Sequence, residues 1–148
     1  MSVKTSSNRS RIGRILMTVA TLVYGVIPPI VDLTETHVFH PDWTPHSRMH
    51  MVWLLVTNSS LAAIALYLLW RSGIDRARVR MAGILGLCVY GGFMISAATV
   101  PFYGGALSDG GGVPPVFGVD ANIVTFTLGL LVLLLGWRLT HDRSESNP

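Results

Sequence analysis

Cysteine occurs once in the 148 residues, at Cys88, so the chain can form no internal disulfide and holds no CxxC metal or redox centre. Charge is scarce as well. Only 13% of residues are charged, against a hydrophobic share of 50% and a mean hydropathy of +0.50. A water-soluble core does not have this balance, and lipid is the solvent it fits. Lysine is nearly missing, with Lys4 alone beside ten arginines, a bias typical of GC-rich bacterial genomes and the reason to expect a bacterial cell membrane. The basic residues sit in short clusters between apolar runs and not along one face, which excludes nucleic acid as a partner. There is no internal repeat. The glycine-rich stretch 101–118 lacks the following lysine that a phosphate cradle requires.

What the chain does have is long apolar runs. Residues 15–31, 51–70, 81–100 and 119–137 each have the length and composition to cross a hydrocarbon core of about 30 Å. The first is read as a retained helix and not a signal peptide, because Pro28, Pro29 and Asp32 follow it without a small-residue cleavage site. Lys4, Arg9, Arg11, Arg14, Arg71, Arg76, Arg78, Arg80, Arg138 and Arg143 all fall on one side of these spans, and only Arg48 falls on the other. The positive-inside rule then puts both termini in the cytoplasm. The expected fold is all-α, an up-down-up-down bundle of four transmembrane helices, N-in and C-in. It has cytoplasmic tails at 1–14 and 140–148 around one membrane domain at 15–139. The polar ends, 1–10 and 142–148, are expected to be disordered. Ser59 with Ala63, and Gly92 with Ser96, have the spacing that lets helices approach closely. The loop 101–118, rich in glycine and proline, is expected to be irregular and to serve either as a lid or as a plain tether.

The informative segment is the first outer loop. Four of the five histidines, His37, His40, His46 and His50, fall within it, together with Asp32, Glu35 and Asp42. Pro45 can open the second helix, which would put His46 and His50 one turn apart on one face, the spacing by which two imidazoles grip one metal ion. His37, His46 and His50 are the candidate metal ligands, with iron or zinc as the ion such donors would take, and Asp32 or Glu35 would complete the shell. The same residues suit metal-free acid–base chemistry, and hydrogen bonding or partner contact explains them equally well. Asp120 is a candidate acid, although capping the fourth helix is its simpler use. Tyr24 would share a cavity with Asp32 if the first helix runs on past its prolines. Arg48 is expected to pair with Asp32, Glu35 or Asp42. Thr57, Asn58, Ser59 and Ser60 form a polar band that should turn inward, chiefly to bond between helices.

The run from Thr36 to His50 resembles the pattern of a family of small, largely uncharacterised four-helix membrane proteins: a Thr-His pair, an Asn-Pro, a Trp, a Pro-His and a closing His. His37, His46 and His50 match its histidines, while His40 stands where that pattern has asparagine. Size and layout are also similar to DoxX-like proteins and to the emopamil-binding sterol isomerases, in architecture alone. These observations lead to the expectation of a membrane enzyme acting on an apolar, lipid-like small molecule, with Asp32, Glu35, His37, His46, His50 and Asp120 as its site. It would be either an oxidoreductase or an isomerase or cyclase. The rival class is a non-catalytic accessory or scaffold protein that contacts a membrane-protein partner or a second copy of itself. Transport is disfavoured, since four short spans enclose little volume and their cytoplasmic halves supply no ion path.

Overall fold

The computed structural model describes residues 2–73, 75–108 and 113–141, with side chains between residues 8 and 140. Five helical segments follow one another: α1 (Ser2–Gly25), α2 (Ile27–Asp32), α3 (Pro45–Trp70), α4 (Arg76–Tyr103) and α5 (Ala121–His141). With α1 and α2 forming one span, four stretches are long and apolar enough to cross a membrane: Asn8–Asp32, Pro45–Trp70, Arg76–Tyr103 and Ala121–Thr140. The chain is a multi-pass, four-span helical protein, as the hydropathy pattern predicts. Around the bundle each span packs on its sequence neighbours, and α1 closes the ring on α5. Most large apolar side chains outside the core face outward, as a lipid-facing surface requires.

Helix ends follow local chemistry. Thr44 caps α3, its Oγ1 accepting the Ser47 N–H at 3.2 Å, and Pro45 takes the first helical position, where its missing N–H costs nothing. Asp75 caps α4 through the Ala77 N–H at 2.8 Å and pairs with Arg78 at 3.1 Å. Gly104, with φ of 67°, ends α4 in the left-handed conformation that glycine adopts without strain. Three boundaries differ from the sequence reading. The polar segment 2–10, expected to be disordered, continues α1 as helix. Pro101 lies inside the last turn of α4 and does not end it. The last helix runs past Trp137 to His141. The expected tail 142–148 lies outside the described residues.

Proline breaks the first span between Gly25 and Ile27, because neither Pro28 nor Pro29 can donate back into the helix. The carbonyl of Gly25, which an ordinary residue 29 would have bonded, instead accepts the Ser59 hydroxyl of α3 at 2.8 Å. This is the repair a bilayer demands, since an orphaned carbonyl in hydrocarbon has no water to turn to. The polar band on α3 is thus only partly inward. Ser59 bonds between helices, Ser60 donates to its own helix at Val56, and Thr57 is exposed.

The core is small in volume and close in spacing. Gly13 and Gly136 press α1 against α5, where a Cβ on either would come within 2.6–2.7 Å of the other's carbonyl oxygen. Gly83 and Gly86 of α4 give room to Trp137 and Leu133, and Gly25 to Ala62. Tyr90, fully buried, donates its hydroxyl to the Ala20 carbonyl at 2.7 Å and meets Tyr24 edge-on at 5.6 Å. The expected packing pair Gly92 and Ser96 is not at an interface: both are exposed, and a Cβ at Gly92 would meet open space. Ala63 is likewise exposed, its neighbour Ala62 making the contact.

Candidate functional site

The loop between α2 and α3 folds back on itself through its own backbone. The Val38 N–H reaches the Asp32 carbonyl at 3.0 Å and the Phe39 N–H reaches that of Thr34 at 2.9 Å, which tucks Val38 into the interior at 3% exposure. Here Asp32 and His37 come together, with Oδ1 to Nε2 at 3.8 Å and side chains 19% and 27% exposed. That separation is within ion-pair reach and beyond a hydrogen bond.

The other ring nitrogen of His37 is fixed by a relay of hydroxyls. Nδ1 lies 2.9 Å from the Thr36 hydroxyl, which lies 3.0 Å from that of Thr34, which donates to the Val31 carbonyl at 2.8 Å. Each hydroxyl has one proton to give, so Thr34 must accept from Thr36 and Thr36 must accept from Nδ1–H. The relay therefore puts the Nδ1 proton in place and turns Nε2 toward the carboxyl group of Asp32. Trp43 closes one side of the imidazole, edge-on at 6.5 Å. Thr34 and Thr36 were missed by the sequence reading. The only trace of them there is a Thr-x-Thr-His run, whose hydroxyls gain meaning once the loop curls.

His46 and His50 stand one turn apart on exposed α3, as Pro45 predicts, with Nε2 to Nε2 at 3.0 Å and rings perpendicular. They do not join His37. Among the described residues no group of three or more His, Cys, Asp or Glu side chains is placed to hold a metal ion. The expected three-histidine set is therefore two separate pairs, because the loop ties His37 to Asp32 while α3 carries the other two. Glu35 is exposed and supports neither pair. Asp120 caps α5, accepting the Asn122 N–H at 2.8 Å and the Ile123 N–H at 3.3 Å. Asp109 lies outside the described residues.

His40 accepts the Asp42 N–H on Nδ1 at 3.3 Å, the bond that an asparagine side chain makes to the residue two ahead in an Asx turn. Arg48 departs from expectation. It forms no ion pair among the described residues, and its guanidinium instead donates to the His40 carbonyl at 2.9 Å, with Nε buried and unpartnered. Starting α3 at Pro45 points Arg48 back at the bend and away from the acids. Tyr24 belongs to the core, fully buried against Tyr90, and does not pair with Asp32.

Beside this loop runs an apolar groove of about 350 Å³ between α2 and α3, walled by Pro29 and Leu33 on one side and Val52, Leu55, Val56 and Ala63 on the other. Ser59 and Ser60 add its only hydroxyls. Asp32 is one position from the wall residue Leu33, and Arg48 lies one turn above Val52 on the same face of α3.

Fold and site together define a four-span helical membrane protein with a polar cap, the α2–α3 loop, and an apolar groove between α2 and α3. The chain belongs to a family of unknown function (DUF6640), whose model matches residues 16–145. No curated protein and no solved structure matches it.

Proposed function

We propose that the protein is a membrane enzyme that takes an apolar, lipid-like small molecule into the α2–α3 groove and acts on it by acid–base chemistry at Asp32 and His37. The observation that carries this reading is the close approach of Asp32 and His37, at 3.8 Å, in the loop that follows the groove residue Leu33. A partly buried carboxyl group and an imidazole whose far nitrogen is fixed by hydroxyls make a general acid that becomes a base once it has given up its proton. The reaction is an isomerisation. The pair delivers its proton to one carbon of a substrate double bond, leaving a cation on the other, and recovers a proton from the carbon on the far side of that cation, so the double bond moves by one position, the atoms balance and no oxidant is needed. In this reading Arg48, one turn from the groove residue Val52, would turn from the His40 carbonyl to hold a polar or anionic end of the substrate. The separation of His37 from His46 and His50 favours this over an iron or zinc oxidoreductase using all three. The four-span layout is similar to that of the emopamil-binding sterol isomerases, a likeness of architecture only. The site faces away from the cytoplasm, because the Lys and Arg excess lies at the opposite end.

A trapping experiment tests the proposal. Asp32→Asn keeps the shape and removes the acid, so native mass spectrometry of the detergent-purified variant should reveal a retained apolar molecule, one per chain. Adding Ala63→Phe, which fills the groove, should release it. Identical spectra from both variants would reject the groove as a substrate site, and copurification of another membrane protein without any small molecule would favour an accessory role.

A further inference from the structure

The face of α3 that the bundle does not use carries its own pattern. His46, His50, Trp53, Thr57, Ser60 and Ile64 follow one another at spacings of four and three, and all six are exposed. A four-three repeat is the seam along which two helices pack, yet among the described residues no helix covers it. Two features argue against plain lipid contact. The Thr57 hydroxyl is exposed at membrane depth and makes no hydrogen bond among the described residues, a cost in hydrocarbon that a neighbouring helix relieves. Thr57 and Ser60 are also small enough to let a second backbone approach.

The head of the same seam is a metal half-site. The Nε2 atoms of His46 and His50 lie 3.0 Å apart and point at each other. Two imidazoles on one tetrahedral ion, with bonds of about 2.0–2.1 Å, hold their nitrogens about 3.3 Å apart, so the two rings need only part slightly and turn their lone pairs to a common point to grip one ion. Two ligands leave the ion half coordinated, and no third His, Cys, Asp or Glu among the described residues converges there.

We propose that His46 and His50 are half of a divalent-metal site, for zinc or a similar borderline ion, which a second copy of the chain completes with the same two histidines as the α3 seams pack together. Both copies insert in one orientation, so the two helices run parallel. A two-fold axis along the membrane normal then brings the two pairs to the same level. Four imidazoles around one ion is a closed, tetrahedral arrangement. The metal half-site is separate from the Asp32–His37 pair, while the seam below it borders the groove at Ser60, which lines both.

The full-length protein in detergent, stripped with EDTA and titrated with zinc, tests this by native mass spectrometry and sedimentation. One zinc per two chains and a zinc-dependent dimer are expected. His46→Ala and His50→Ala should each weaken zinc binding at least tenfold and abolish the zinc-induced dimer, while His40→Ala should leave both intact. Ser60→Trp keeps both histidines but blocks the seam, and should weaken zinc binding as well. Copper quenching of Trp53, whose ring lies 5.9 Å from His50, reports occupancy separately. Helicity measured on every variant identifies any that fails to fold, and Ser60→Trp supplies an independent readout. One zinc per monomer, or zinc binding unchanged in the histidine variants, would overturn the proposal, as would a dimer indifferent to EDTA and to Ser60→Trp.

Discussion

Ser59 is a residue whose role rests on one bond. It donates to a carbonyl that Pro29 cannot satisfy, so Ser59→Ala should leave the Gly25 carbonyl orphaned and cost about 1–3 kcal/mol. Thermal unfolding in detergent measures this, and Ser59→Thr, which keeps a hydroxyl, should recover most of the loss. An alanine variant as stable as wild type would mean that the carbonyl is not in need of a donor. His40 makes a parallel case. His40→Asn should preserve the turn at Pro41 and leave the melting temperature within about a degree of wild type, since the same acceptor returns, whereas His40→Ala removes it. At this scale the sequence was readable where a residue's job is local: Pro45 opens α3, Asp120 caps α5, and His46 meets His50. It was unreadable where the partner is remote. Nothing near Ser59 in the chain announces Gly25, and nothing near Arg48 shows that it would turn to a backbone carbonyl.

Among elements, the α1–α5 contact brings two backbones close together, and it depends on paired glycines. Gly136→Val would drive side-chain carbon against the Gly13 carbonyl and Met17. Overpacking of this kind typically costs about 1–3 kcal/mol, and here the obstacle is backbone, so the upper end of that range is expected. Gly92→Val faces open space and should be close to neutral in the same melting assay, which makes the pair a controlled comparison. Equal destabilisation by both would contradict this packing. The sequence reading found the four spans because hydropathy is a property of each segment by itself. The small-residue spacings do not say which faces meet, because glycine, alanine and serine occur on every face of these helices: Ser59 lies at an interface, whereas Gly92 and Ser96 do not. The same limit applies to the three histidines. Their spacing was visible, but the curl of residues 33–44 sets His37 against Asp32 and leaves the α3 pair apart.

For the whole molecule, the distribution of Lys and Arg predicts an orientation that labelling checks. In a Cys88→Ala background, cysteine at Glu35 should react with a membrane-impermeant thiol reagent on intact cells, and cysteine at Ser72 only after permeabilisation. The reverse pattern would place the polar cap in the cytoplasm. The central claim is that the cap is an acid–base site for a lipid-like substrate, and the most direct measurement is deuterium uptake. Membranes containing the wild-type protein, incubated in D2O and extracted, should yield an apolar small molecule that gains one deuterium as its double bond shifts. The rate should fall about 10²-fold or more in Asp32→Asn, the scale of a lost general acid. The His46→Ala variant should retain the uptake. Lipid extracts in which wild type, Asp32→Asn and protein-free membranes carry the same deuterium would contradict the account.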